Sequence, residues 1–268
     1  MRHHWNYALW FLLGALMLPA LSSAQSSPAA QAGKKQAVSA PAPRDLSGMW
    51  EFFLRGVPGQ GIYATPSQQH PPMTAWAQAR YDAAKPGYGP KAQAAGNDPI
   101  LRCDPSGIPR ILFFPQPFEI VQTPKRIFMF FEREHAYREI WMDGRQHPQD
   151  MDPTWMGDSI GHWEGDTLVV DTVGFNDKSW LDFYGDPHSD QMHLVERYRR
   201  VDEHTLSLNF TVTDPKAYTQ PWVSDTKLYK LLPKQQAVME ELFCVPEEEE
   251  SFTERIRDPA AGVKDTSK

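Results

Sequence analysis

Glu196 stands in a stretch, Met192 to Val201, whose alternation puts it on one face with Met192, Leu194 and Tyr198. A carboxylate on an otherwise apolar strand face is costly unless it is paired or used, and a desolvated one can give or take a proton. Arg138 shares its face with Ala136, Ile140 and Met142. It is either a ligand contact or the partner of Glu196 in a buried ion pair that fixes register. Asp171, between Val169 and Val173, is a second candidate acid or base, and its strand is apolar on both faces, which leaves its direction open. His188 and His193 lie in the segment 185–193 just ahead of Glu196, and imidazoles can shuttle protons at ambient pH. These residue types around one cavity predict proton-transfer chemistry without a cofactor: isomerisation, elimination or hydration of a small apolar or aromatic molecule. Tyr198, Trp141, Trp163 and Trp180 are candidate walls for that molecule, and core packing and loop anchoring are their ordinary roles.

Other chemistries fit less well. His188, Asp190 and His193 would be the ligands of a metal site, but their spacing matches no standard zinc pattern, so no metal is expected. Ser159, in Gly157-Asp158-Ser159-Ile160-Gly161, has the Gly-x-Ser-x-Gly spacing, but the segment does not lead into a helix as a nucleophile elbow must. No glycine-rich loop precedes a helix, so nucleotide cofactors are not expected either. The competing class is a non-catalytic carrier, in which the same cavity sequesters a hydrophobic small molecule.

The elements that must position these groups are strands. Phe118 to Thr123 and Ile127 to Arg133 form a hairpin around Pro124-Lys125-Arg126, and Ala136 to Met142 ends at the turn signal Asp143-Gly144. Asp158 to Trp163 and Thr167 to Val173 flank Glu164-Gly165-Asp166. Thr205 to Thr213 follows the strand of Glu196 and alternates Leu206, Leu208, Phe210 and Val212 with polar residues, the period of a half-buried strand. Thr226 to Leu232 and Ala237 to Val245 complete the set. One short helix is predicted over Ala75 to Lys85, with Thr74 as N-cap and Pro86-Gly87 as the stop. The fold expected is all-β: an antiparallel up-and-down barrel of about 8 to 10 strands, which hides its edges by closing, with a two-sheet sandwich as the alternative.

Residues 1–24 read as a signal peptide, with Arg2, an apolar run from Ala8 to Leu21 and small residues up to a cleavage site after Ala24. Residues 25–44 read as a disordered Ala- and Pro-rich linker, 45–246 as one barrel domain, and 247–268 as an acidic, polar, disordered tail. The mature protein is therefore expected in a periplasm or outside the cell, without membrane insertion. There, Cys103 and Cys244 are most simply a disulfide. The chain has 27 Lys and Arg against 34 Asp and Glu, interleaved along its length, so nucleic acid is not an expected partner.

Gly48-Met49-Trp50, at the opening of the first expected strand, resembles the Gly-x-Trp start of the lipocalin and fatty-acid-binding (calycin) barrels. Separately, Arg102-Cys103-Asp104-Pro105, the run from Trp163 to Thr172 (WEGDTLVVDT) and Pro187-His188-Ser189-Asp190 resemble a family of exported bacterial proteins without an assigned activity. The first resemblance implies a ligand-holding barrel. The second implies export and carries no chemistry.

Overall fold

A computed structural model describes residues 44–52 and 63–262. The expected signal peptide and residues 25–43 of the linker lie outside the described residues. Ten strands are described: β1 (Gly48–Phe52), β2 (Phe118–Gln122), β3 (Arg126–Phe131), β4 (Tyr137–Trp141), β5 (Asp158–Glu164), β6 (Thr167–Val173), β7 (His193–Arg200), β8 (Thr205–Thr213), β9 (Trp222–Val223) and β10 (Lys227–Leu231). Neighbours follow chain order from β1 to β8. Then β10 pairs with β8 through Lys227↔Leu208 and with β1 through Trp50↔Leu231, closing a nine-stranded barrel. β9 extends the β8 edge through Val212↔Trp222.

The barrel is all-β and mostly antiparallel, with one departure from an up-and-down meander. β4 and β5 run parallel, Ile140 opposite Ser159. The turn at Asp143-Gly144 does not return the chain beside β4, because residues 142–157 carry it across so that β5 enters in the same direction; parallel neighbours require such a long connection.

Alternation assigns the interior. Trp50, Phe118, Met129, Ile140, Val170, Leu194, Leu208, Phe210 and Tyr229 are buried there. The barrel is filled as a core. Gly48, with φ +136°, opens β1 where a Cβ would meet Leu231 Cδ1 at 2.5 Å, so the first residue of the Gly-x-Trp sequence has a steric reason here. Trp50 is fully buried and donates from Nε1 to the Leu46 carbonyl at 2.9 Å.

The helix α1 (Ala75–Ala83) forms as expected, with the Thr74 hydroxyl accepting from the Ala77 N–H at 3.3 Å. Ala237 to Val245 does not form the expected strand. β10 already has a partner on each side, so the closed barrel offers it no edge there. The tail expected to be disordered is helical from Pro246 to Ala260, beginning with α2 (Pro246–Phe252). Pro246 in its first turn and Glu247, Glu248 and Glu249 against the positive helix end are standard start signals. Cys103 and Cys244 are joined, the expected disulfide. No described helix is long and apolar enough to cross a membrane.

Candidate functional site

The expected site residues do not share one cavity; they fall into three places. Glu196 and Arg138 meet inside the barrel, both essentially without solvent contact. Glu196 Oε1 accepts from Arg138 Nη1 at 3.0 Å and from the Tyr198 hydroxyl at 2.7 Å, and its Oε2 accepts from Arg138 Nη2. The remaining guanidinium donors reach Ser159 Oγ at 3.0 Å and Thr172 Oγ1 at 2.7 Å. Burial and the adjacent Glu196 carboxylate hold the Tyr198 phenol well above its ordinary range. Each charge is enclosed and matched by donors and acceptors, the arrangement of a structural ion pair.

Asp171 points outward from the barrel wall and meets His193, whose Nε2 lies 2.7 Å from Asp171 Oδ2. His147 spans Asp158 Oδ1 at 2.6 Å through Nδ1 and Asp171 Oδ1 at 2.9 Å through Nε2. The Asp171 carboxylate lies between the two imidazoles. Among the described residues no group of three or more His, Cys, Asp or Glu is placed to hold a metal ion. The three residues of the weighed metal reading are separated: His193 sits on Asp171, Asp190 on Lys216 at 2.9 Å, and His188 is buried against Ser179 at 2.8 Å. The tryptophans are equally dispersed. Trp141 is in contact with the guanidinium groups of Arg126 and Arg145, Trp163 lies beside Arg44, and Trp180 shares a recess with His188.

A ligand-sized groove of about 600 Å³ lies between the loop 63–73, α1 and the loop 181–187. Tyr81, Tyr184, Pro71, Pro72, Pro90 and Met73 give it apolar walls; Thr65, Ser67, Gln68 and Gln78 add polar groups; His70 and Asp186 supply the ionisable ones. His70 Nδ1 is 2.9 Å from the Pro71 carbonyl, which can only accept, so Nδ1 carries a hydrogen. Its Nε2 faces Asp186 Oδ1 in close contact. With Nδ1 a donor, a hydrogen bond between Nε2 and Oδ1 requires a second proton, carried by the acid or by the imidazole. Trp222, Tyr218 and Tyr81 surround the ring at centroid distances of 4.4, 5.9 and 6.1 Å.

The loop is built to hold Asp186 there. Asp182 Oδ1 accepts from the backbone N–H of Tyr184 at 2.8 Å and of Gly185 and Asp186, each at 3.1 Å. Gly185 takes φ +89°, and a Cβ on it would meet Ala84 Cβ at 2.7 Å. Burial, then the charge of Asp186, pushes the Asp182 carboxyl well above the carboxylate range. Burial also raises Asp186 to about 6, against the lowering influence of its hydrogen bond with Asp182 and the charge of Lys91. Burial lowers His70 below its ordinary value, opposed by the Pro71 carbonyl. The acid is pushed up and the base pushed down, so burial favours the neutral form of both groups.

A stability consequence follows. Asp186 binds its proton more tightly folded than unfolded, so its contribution is fully present below pH 3.8 and is lost as pH rises through about 6. Relative to Asp186→Asn, which cannot ionise, the wild type should lose roughly 2 kcal/mol between pH 4 and 7. Urea unfolding of both proteins across that range measures it, and parallel stability curves would refute the assignment.

Sequence reading missed His70, Asp182 and Tyr81, and included Asp186 only as a member of the segment 185–193. His70 and Asp186 are 116 residues apart, and no local pattern joins them. The available signal was His70-Pro71-Pro72, an imidazole followed at once by a rigid carbonyl-bearing turn. No family model, curated protein or solved structure matches the chain.

Proposed function

We propose that this barrel protein is a cofactor-independent acid-base enzyme acting on a small, mostly apolar or aromatic molecule in the groove, by isomerisation, elimination or hydration. The observation that carries the reading is the His70–Asp186 pair, an imidazole and a buried carboxyl in hydrogen-bond contact at the wall of a ligand-sized groove. Such reactions need a proton taken from one atom of the substrate and one given to another, and this pair does both without a net change. Tyr81, whose phenol is held above its ordinary range by burial and by Asp186, stands beside it as a hydrogen-bond donor to a substrate oxygen. Export belongs to the same proposal, with residues 1–24 as a signal peptide cleaved after Ala24. The Cys103–Cys244 disulfide supports an oxidising compartment.

The test is deuterium incorporation. Purified protein is incubated in D2O with small-molecule extract from its host, and the extract is read by mass spectrometry. Wild type should label a compound that His70→Gln labels at least roughly a hundredfold more slowly, with Asp186→Asn similarly impaired. Labelling that survives both substitutions, or none at all, rejects the enzyme. A compound retained in the groove without labelling would mark the carrier instead.

A further inference from the structure

On the other side of the loop 181–187, a recess of about 200 Å³ is lined by Ser179, His188, Trp180, Pro187, Ala84 and Arg80. His188 Nδ1 points at the Ser189 carbonyl, 3.4 Å away, and a carbonyl can only accept. The hydrogen therefore sits on Nδ1 and the free lone pair on Nε2, where Ser179 Oγ lies 2.8 Å away and donates. The serine proton is thus already directed at a base. Both side chains are buried, Ser179 6% and His188 3% exposed. Gly107, at φ +68°, passes so close that a Cβ there would meet Ser179 Oγ at 2.8 Å, so the hydroxyl is confined on that side. Burial lowers the His188 imidazole below its ordinary value, opposed by the Ser189 carbonyl and by Asp214 and Asp177, and keeps it neutral and able to accept at pH 7.

We propose that Ser179 is the nucleophile and His188 the general base of a second site, separate from the groove, that accepts the acyl group of a short-chain carboxylic ester. Ser179 Oγ forms a bond to the carbonyl carbon as its proton passes to His188 Nε2. The tetrahedral centre then expels the alkoxide, which takes that proton and leaves as the alcohol. Water repeats the sequence: its proton goes to Nε2, its oxygen bonds to the acyl carbon, the Oγ–carbon bond breaks, and Ser179 recovers the proton as the acid departs. Nucleophile, base and orienting carbonyl stand in the order that serine activation requires. Arg80 lines the same recess with its guanidinium 3.6 Å from Asp177, and it would have to turn from that contact to meet charge on the carbonyl oxygen. The volume and the Trp180 and Pro187 walls suit an acetyl to butyryl group.

The experiment uses the full chain and p-nitrophenyl acetate. The expected result is a burst of one nitrophenolate per chain and an acetyl group on the peptide containing Ser179. Ser179→Ala should lose the adduct entirely, and His188→Gln should slow acylation by roughly a hundredfold. The wild type supplies a reading that needs no variant. Acylation by a serine with a neutral histidine base is level from pH 7 to 9 and falls on acidification, whereas a reacting lysine or tyrosine accelerates about tenfold per pH unit. No adduct, an adduct on another residue, or a rate climbing through pH 9 overturns the proposal.

Discussion

Glu196→Ala should destabilise the protein by about 3–5 kcal/mol, the cost of leaving one member of a buried ion pair without its partner. The Arg138 guanidinium would remain at the barrel centre with neutral hydroxyls, those of Ser159, Thr172 and Tyr198, in place of a carboxylate, and with no solvent to replace it. Tyr198 would also lose the acceptor of its hydroxyl. Glu196→Gln, which keeps an acceptor and the shape, should cost less. Replacing both partners, Glu196→Leu with Arg138→Met, should recover most of the loss, because two apolar side chains carry no unpaired charge. Urea denaturation of the four proteins resolves the series. A shift under about 1 kcal/mol for Glu196→Ala, or a double variant no better than the single, would show that the pair is not the sealed element described here.

That pair also shows what the sequence could and could not reveal. Alternation placed Glu196 and Arg138 on inward faces and named their pairing as one outcome, because residues of a half-buried strand have only two directions. The same rule located most strand boundaries. Thr167–Val173 and Thr205–Thr213 were legible to the residue, and the helix was marked by the Thr74 cap. Asp171 defeated the rule because Leu168, Val169 and Val170 are all buried, so its strand offers no contrast between faces. The parallel β4–β5 neighbours were hidden for a different reason. Asp143-Gly144 specifies a local turn, whereas the partner of β4 is chosen by where residues 142–157 deliver the chain.

The groove was the least legible feature because its chemistry depends on tertiary placement. His70 comes from a proline-rich loop, and Asp182 and Asp186 from a loop folded around its own carboxylate, with Trp222 and Tyr218 from the far end of the chain. Each has an ordinary local explanation: a loop histidine, a turn aspartate, a packing aromatic. Only their meeting at the surface of a filled barrel makes them exceptional. The tight pairs of the interior fix the frame, and the ionisable groups with shifted proton affinities lie in the loops outside it, where a ligand can reach them.

Reducing the disulfide, or replacing Cys244 by serine, should lower stability by on the order of 4 kcal/mol, because the bond closes a loop across a sequence separation of 141 residues and removes that freedom from the unfolded chain. The structural setting makes the effect local as well as global. Residues 232–245 belong to no strand, and Val238 and Phe243 are exposed. Besides the disulfide, the contacts of this segment include the Leu232 N–H on the Met49 carbonyl at 2.8 Å, the Glu240 N–H on Glu132 Oε2 at 2.9 Å, the Leu242 N–H on His135 Nε2 at 3.1 Å and the stacking of Phe243 on His135. The barrel closes through β10 without it. On reduction the segment and the helix that follows should therefore lose amide protection first, at denaturant concentrations where β6, β7 and β8 still exchange slowly. Hydrogen exchange followed along the chain, with urea unfolding of oxidised and reduced protein beside it, tests both parts. Equal unfolding midpoints would remove the entropic argument, and uniform loss of protection through barrel and tail would show that the C-terminal segment is part of the same cooperative unit.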